Sequence, residues 1–243
     1  MNAFEKHGIN HLSASSLNEW MNDPLIWSIK YLGKHRDEYA PAAWRGNAVE
    51  DGLTAVLHGK DGAGVAANTF ENNAMGDLSD EVEAERKLVA PMLAQAAKWT
   101  PPSKLMGAQV KVEHWFDGVP VPAVGYIDYV FDCGTIVDLK TTKACPSAPR
   151  ANHTRQVALY RAARDNAPAS LLYVTHAKHA CYPVGDNQAA DALAELRCAA
   201  LTMERFLSVI DGVQDAMHML PLNTDDFRVS ASLKAAHQQL MGA

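Results

Sequence analysis

Asp128, Asp138 and Lys140 are charged residues set in apolar company. They fall on two β-rich runs, Gly125-Tyr126-Ile127-Asp128-Tyr129-Val130 and Ile136-Val137-Asp138-Leu139-Lys140-Thr141-Thr142, separated by the turn-forming Asp132-Cys133-Gly134. A hairpin there brings Asp128 close to Asp138 and Lys140. Residues two apart in a strand share a face, so Asp138 and Lys140 point the same way while Leu139 faces the core. Two carboxylates and an ammonium at one end of a buried sheet are costly unless they hold a divalent cation or do chemistry. The chemistry that suits them is metal-assisted cleavage of a phosphodiester. An Asp-x-Lys step by itself is more often a solvated face with a minor ion pair. Ile136, Val137 and Leu139 argue against that reading, because they mark the strand as buried.

The elements that position these groups lie on either side. Upstream, Arg45-Gly46-Asn47-Ala48-Val49-Glu50-Asp51-Gly52-Leu53 sits in a stretch that reads as a helix over residues 42–57. Ala48, Val49, Leu53, Val56 and Leu57 supply its apolar side, and Glu50 stands at the edge of that side. Downstream, Gln156-Val157-Ala158-Leu159-Tyr160 opens another helix, whose four-residue spacing stacks the Gln amide and the Tyr ring on one face. Such a pair is either a half-buried tie between helix and sheet or a clamp on a substrate.

In this order the motifs resemble the RecB-type branch of the PD-(D/E)XK nuclease superfamily, which includes phage recombination exonucleases and CRISPR-associated RecB-like exonucleases. The matching positions are Gly46 to Glu50, Gly125 to Asp128, Asp138 to Lys140, and Gln156 to Tyr160. The segment His11-Leu12-Ser13-Ala14-Ser15-Ser16-Leu17-Asn18-Glu19-Trp20, followed by Asp23-Pro24, resembles the family's N-terminal stretch. Glu50 departs from the His of many members, and its oxygen suits magnesium or manganese better than imidazole does.

The resemblance implies an α/β fold: a restriction-endonuclease-like mixed sheet flanked by helices, with helical N- and C-terminal additions. It implies one or two Mg²⁺ or Mn²⁺ ions on Glu50, Asp128, Asp138 and the Leu139 backbone carbonyl, with Lys140 completing the catalytic set. Gln156, Tyr160, Ser13, Ser15 and Arg45 are the expected contacts to DNA, Gln156 through its amide and Tyr160 by packing or stacking its ring. The activity implied is an exonuclease acting on DNA ends, single- or double-stranded, in phage or bacterial recombination or repair. A single-strand annealing protein is a partner by the same reasoning. Two other readings stay open: a catalytically inactive DNA- or partner-binding module on this fold, and an endonuclease.

The chain of 243 residues is acidic, with a formal net charge of −6, which by itself argues against a general nucleic-acid binder. Its distribution is uneven. Residues 139–164 hold Lys140, Lys143, Arg150, Arg155, Arg161 and Arg164 without an acid, whereas Glu71, Asp77, Asp80, Glu81, Glu83 and Glu85 crowd into residues 71–85. Cys133, Cys145, Cys181 and Cys198 lack CxxC spacing, so reduced thiols are expected rather than an iron–sulfur cluster. Neither a signal-peptide pattern nor an 18-residue apolar run is present, which makes a cytoplasmic protein the expectation. P-loop, dinucleotide and Ser–His–Asp signatures are missing too. His176 and His179, with Cys181 nearby, form a weak half-site for zinc. Oligomeric state is not legible.

The organisation read from the chain is a single domain, 1–243. It comprises an N-terminal helical segment 1–40, a nuclease core over 42–57 and 105–185, a mobile loop near 58–78, and C-terminal helices 186–243. Ser16-x-x-Glu19 reads as a capping box, and Asp23-Pro24 as the N-cap and first residue of a helix. A helix over 80–99 is expected to kink near Pro91. Strands are expected over 109–115, 119–131, 135–141 and 171–175. A long helix from about 186 carries a packing stripe of Leu193, Leu196, Ala200, Met203, Leu207 and Ile210, and a last helix covers 230–241.

Overall fold

The computed structural model describes residues 1–35, 40–221 and 230–241; parts of the expected terminal segments, 1–40 and 186–243, therefore lie outside the described residues. In chain order the elements begin with helices α1 (Ala3–Lys6), α2 (Ala14–Asn22), α3 (Pro24–Tyr31), α4 (Pro41–Leu57), α5 (Gly62–Ala74) and α6 (Asp80–Ala96). Strands β1 (Leu105–His114), β2 (Ala123–Phe131) and β3 (Ile136–Thr141) follow, then α7 (Ala151–Ala162), β4 (Ala169–Val174) and β5 (His179–Pro183). Helices α8 (Asp186–Val209), α9 (Val213–Met219) and α10 (Ala231–Met241) close the chain. Two compact units emerge, one of Met1–Glu38, Glu113–Gly125 and Ala190–Ala243, the other of Tyr39–Val112 and Tyr126–Ala189.

The first unit is mostly helical. Asp23 caps α3 by accepting from the Leu25 and Ile26 N–H groups, both at 3.0 Å, with Pro24 next to it, as its sequence implies. The cap of α2 is Ser13 rather than Ser16: Ser13 Oγ accepts from Ser16 N at 3.0 Å, and Ser16 is buried inside the helix. Leu25, Ile26 and Ile29 form a small apolar cluster with Met217 of the unanticipated α9 and Leu233 of α10. The stripe is buried at Leu196, Ala200, Met203 and Leu207 on α8 and at Ile210 just past its end.

The second unit holds a five-stranded sheet in the order β1-β2-β3-β4-β5. β2 and β3 are antiparallel, with Tyr129 opposite Val137, and turn through Gly134 at φ +82°, where a side chain would be strained. β3 and β4 are parallel neighbours, so the chain crosses over through α7 between them. β5 returns antiparallel to β4. Its lead-in is a turn in which Thr175 Oγ1 accepts from Ala177 and Lys178 N–H, so His176 and His179 lie on a turn and a strand, not on a helix face. That geometry removes the proposed half-site.

A helix, α5, stands where composition suggested a loop. Asp61 Oδ1 accepts from Gly64 N at 3.0 Å to start it, and Ala66, Phe70 and Ala74, at four-residue steps, bury into the apolar core with Val49 and Leu53 of α4 and Val89, Met92 and Leu93 of α6. Tertiary packing here overrides the weak propensity of a Gly- and Asn-rich segment. α6 runs as one helix through Pro91. The approach of α5 to α4 depends on glycine: a Cβ on Gly52 would meet Ala66 Cβ at 2.8 Å and the Gly62 carbonyl at 2.9 Å. Gly52→Ala is therefore expected to destabilise the fold by about 1–3 kcal/mol, read as a lower urea midpoint with little change in slope.

Candidate active site

The β2–β3 hairpin places the acids as its register dictates. Continuing the ladder by one residue beyond Tyr129 and Val137 sets Asp128 against Asp138. Asp138 is only 1% exposed and Asp128 only 7%. Lys140 shares the face of Asp138, and its Nζ stands 2.8 Å from Asp138 Oδ2. That ion pair engages Oδ2, while the buried Oδ1 has no hydrogen-bond partner among the described residues. Asp128 is better held, with its Oδ2 accepting from the Leu139 backbone N–H at 2.7 Å. Leu139 itself points the other way, into the core.

Helix α4 delivers Glu50 to the same place. The Glu50 carbonyl accepts from Thr54 Oγ1 at 2.9 Å and from the buried Tyr129 hydroxyl at 3.0 Å, which pins the helix to β2 at that residue. A Cβ on Gly46 would touch Thr141 Oγ1 at 3.4 Å, so the first turns of α4 pass directly against the end of β3. Gln109 on β1 completes the cluster. Its Nε2 donates to Glu50 Oε1 and, at 3.2 Å, to Asp128 Oδ1. Sequence reasoning passed over Gln109, since no spacing marks it; only the backbone, at φ +50°, aims it.

Burial and crowding set the charges. Desolvation, then the neighbouring Asp138 and Glu50 charges, push the Asp128 carboxyl well above its ordinary range. Glu50 is raised by desolvation and by Asp138, with the Gln109 bond pulling the other way. Desolvation also raises Asp138, against the pull of Lys140. For Lys140, burial alone would favour the neutral amine, but Asp138 and Asp128 together hold it charged and raise its pKa.

Helix α7 presents Gln156 and Tyr160 on one face, and they bond to each other, Gln156 Nε2 to Tyr160 Oη at 2.6 Å. Tyr160 is only 3% exposed, which takes its ring out of reach of a stacked base. Burial and the Asp138 charge raise the pKa of its hydroxyl, which keeps it neutral. One turn earlier, His153 Nδ1 lies 2.8 Å from the Tyr173 hydroxyl; burial and the Lys140 and Arg150 charges lower its pKa to about 4.

Arg45 requires a correction. It is buried on α4, its guanidinium paired with Glu85 of α6 and 3.5 Å from Thr141 Oγ1, so it ties two helices and is not a surface contact for DNA. Arg161 is likewise withdrawn from the basic patch: it is buried against the Ala167 and Val184 carbonyls and Asp186. Ser13 and Ser15 belong to the first unit, Ser13 as the cap of α2 and Ser15 as an exposed residue within it.

The donor set suits a hard cation. The carboxyls of Glu50, Asp128 and Asp138 offer oxygen without sulfur or imidazole, and the buried Asp138 Oδ1, which has no hydrogen-bond partner, is the kind of acceptor a cation satisfies. Among the described residues, no three acidic, imidazole or thiol side chains yet surround one point; the Gln109 amide lies between Glu50 and Asp128 instead.

A mixed sheet carrying an acid–acid–lysine cluster defines a nuclease-type core. A family model, the PD-(D/E)XK nuclease superfamily, matches residues 11–227, and the chain belongs to that superfamily. Its members hydrolyse nucleic acids and generally use divalent metal ions. The crystal structure of a "Putative exonuclease" from Eubacterium rectale is similar over 90% of this chain and 92% of that chain, with a TM-score of 0.58 at 15% identity, which is a likeness of fold. A second solved structure, SSO0001, aligns over 40% of this chain and 49% of its own, at 17% identity and a TM-score of 0.33. No curated protein matches the chain. Among the described residues, no helix is long and apolar enough to cross a membrane.

Two outcomes follow from these charges. Arg45→Ala is expected to cost about 3–5 kcal/mol in chemical denaturation, because it leaves the buried Glu85 with only the exposed Lys143, 4.0 Å away. The raised carboxyls stabilise the metal-free fold only while protonated, a contribution complete below their unfolded values and lost as pH rises through the folded ones. Asp128→Asn should thus raise Tm in EDTA at pH 8, by roughly 2–4 °C per kcal/mol relieved, and leave it nearly unchanged near pH 4.

Proposed function

We propose that this chain is a Mg²⁺- or Mn²⁺-dependent deoxyribonuclease that removes nucleotides from DNA ends, in bacterial or phage recombination or repair. The observation that carries the reading is the cluster of half-buried Glu50 and buried Asp128 and Asp138 near Lys140, in which Asp138 Oδ2 pairs with the ammonium and Oδ1 is left without a hydrogen bond. An arrangement this costly in a metal-free fold is hard to account for in a module that only binds.

Glu50, Asp128, Asp138 and the Leu139 carbonyl would hold the ion. When bound, a divalent cation supplies positive charge to a scissile phosphate and acidifies water. Lys140, kept protonated by its acids, stabilises negative charge building on the phosphoryl oxygens and orients the attacking water. Asp138 fixes the Lys140 ammonium, and the Leu139 N–H fixes Asp128. Gln156 is half-buried, with its amide steered by the Tyr160 hydroxyl, and it is the candidate to touch DNA from α7. Tyr160 acts through it. Ser13 and Ser15 are candidate contacts to the strand backbone. The cytoplasm, with a single-strand annealing protein as partner, is the setting this reading favours.

The test uses linear DNA labelled at either end, in single- and double-stranded form, beside closed circular DNA, with Mg²⁺ or Mn²⁺. Release of mononucleotides or short oligomers from linear DNA alone is expected, falling about two to three decades in Lys140→Ala. Cutting of the closed circle would make the protein an endonuclease. DNA binding with no cleavage in either metal would leave only a binding module.

A further inference from the structure

One side chain in the cluster has no place in the chemistry above. Gln109 lies on β1, a strand whose inside–outside alternation slips by one residue. Leu105 and Gly107 face inward ahead of the slip, and Ala108, Val110 and Val112 after it. The slip, between Gly107 and Ala108, immediately precedes the left-handed backbone of Gln109, at φ +50°, a conformation rarely adopted by a residue with a side chain. A one-residue slip of this kind re-aims a side chain in a strand. Here it turns the amide onto Glu50 Oε1 and Asp128 Oδ1. When both partners are ionised they are acceptors only, so the NH₂ end faces them and each carboxylate receives one of its two hydrogens.

We propose that Gln109 is a positioning residue that spaces the metal-free site: its amide NH₂ stands between Glu50 and Asp128 where a divalent cation would bind, and it must turn away for the cation to enter. This rests on the metallonuclease reading and adds a competitor to it. Two ionised carboxylates brought together repel, and the two hydrogens of one amide, donated one to each, offset that repulsion. The residue is exposed to solvent, unlike Asp128 and Asp138, so its side chain has somewhere to go. When the amide turns away, Glu50 Oε1 and Asp128 Oδ1 are the oxygens that would hold the cation, so neither would be left unsatisfied.

The experiment compares wild type with Gln109→Met, which keeps length and removes the amide, and with Gln109→Ala. Mn²⁺ affinity is measured by calorimetry and by the electron-spin signal of free Mn²⁺, and Tm is measured in EDTA and in saturating Mn²⁺. The variants are expected to melt roughly 3–6 °C lower in EDTA. They should bind Mn²⁺ about tenfold more tightly, one lost competing contact, and should match wild type once Mn²⁺ is saturating. A purely structural role would lower Tm in both conditions and leave affinity alone; a role as a metal ligand would weaken affinity. Either result overturns the proposal. In unmutated protein, the Gln109 side-chain amide protons should lose their protection from exchange on Mg²⁺ titration, and unchanged protection would overturn it without any variant. Wild type that binds Mn²⁺ while the variants bind it no better sinks the spacer alone. Wild type that binds no divalent ion at millimolar concentration sinks the metallonuclease reading along with it.

Discussion

Three acids held around one ammonium, largely out of water, is the constraint on which the rest of this fold depends. Asp138 and Lys140 come from consecutive positions on one face of β3, so the strand itself guarantees their proximity. Asp128 is brought in by the hairpin and Glu50 by a helix remote in sequence. One lysine cannot neutralise three carboxylates. Burial raises the pKa of all three acids, repulsion between carboxylates adds to it at Asp128 and Glu50, and the Leu139 N–H and the Gln109 amide offset part of it locally. Such a cluster persists only where the surroundings over-determine it.

The surroundings do so by anchoring the one element that could drift. α4 is pinned at Glu50 by the Tyr129 hydroxyl on one side and held to α6 by the buried Arg45–Glu85 pair on another. α5 locks against it through the close approach at Gly52 and Gly62, where the absence of side chains lets backbone meet backbone. Apolar residues of α4, α5, α6 and the sheet then fill a common core. The acids are thus carried on strands and on a helix whose own rotation is fixed, which keeps a functional constellation tighter than loops could.

What was legible in the sequence follows from period and local chemistry. Apolar runs broken by Asp128, Asp138 and Lys140, a Gly-containing turn, and the Asp23-Pro24 helix start each state their structure over a few residues. Features settled at long range were not legible. α5 looks like a loop because glycine and asparagine have poor helix propensity, and only its packing at Ala66, Phe70 and Ala74 makes it helical. The roles of Arg45 and Arg161 could not be read, since a buried arginine is told from a surface one by its partners. Tyr160 was assigned a stacking surface that burial removes. Gln109 is the sharpest case: its chemistry depends on one backbone angle that no residue spacing announces.

A chain of net charge −6 approaches a polyanion against its own field. The basic run over residues 139–164 is thinner than its composition implies, since Arg161 is engaged by carbonyls and Asp186, and Lys140 by Asp138. Attraction for phosphate therefore has to be local rather than general. On the proposed reading, the acidic cluster supplies it indirectly: the carboxylates that repel DNA in the metal-free protein are the groups whose oxygens recruit divalent positive charge. Substrate affinity and catalysis then depend on one loading event, and the protein gains nothing from a broad basic surface that would hold DNA away from its ends.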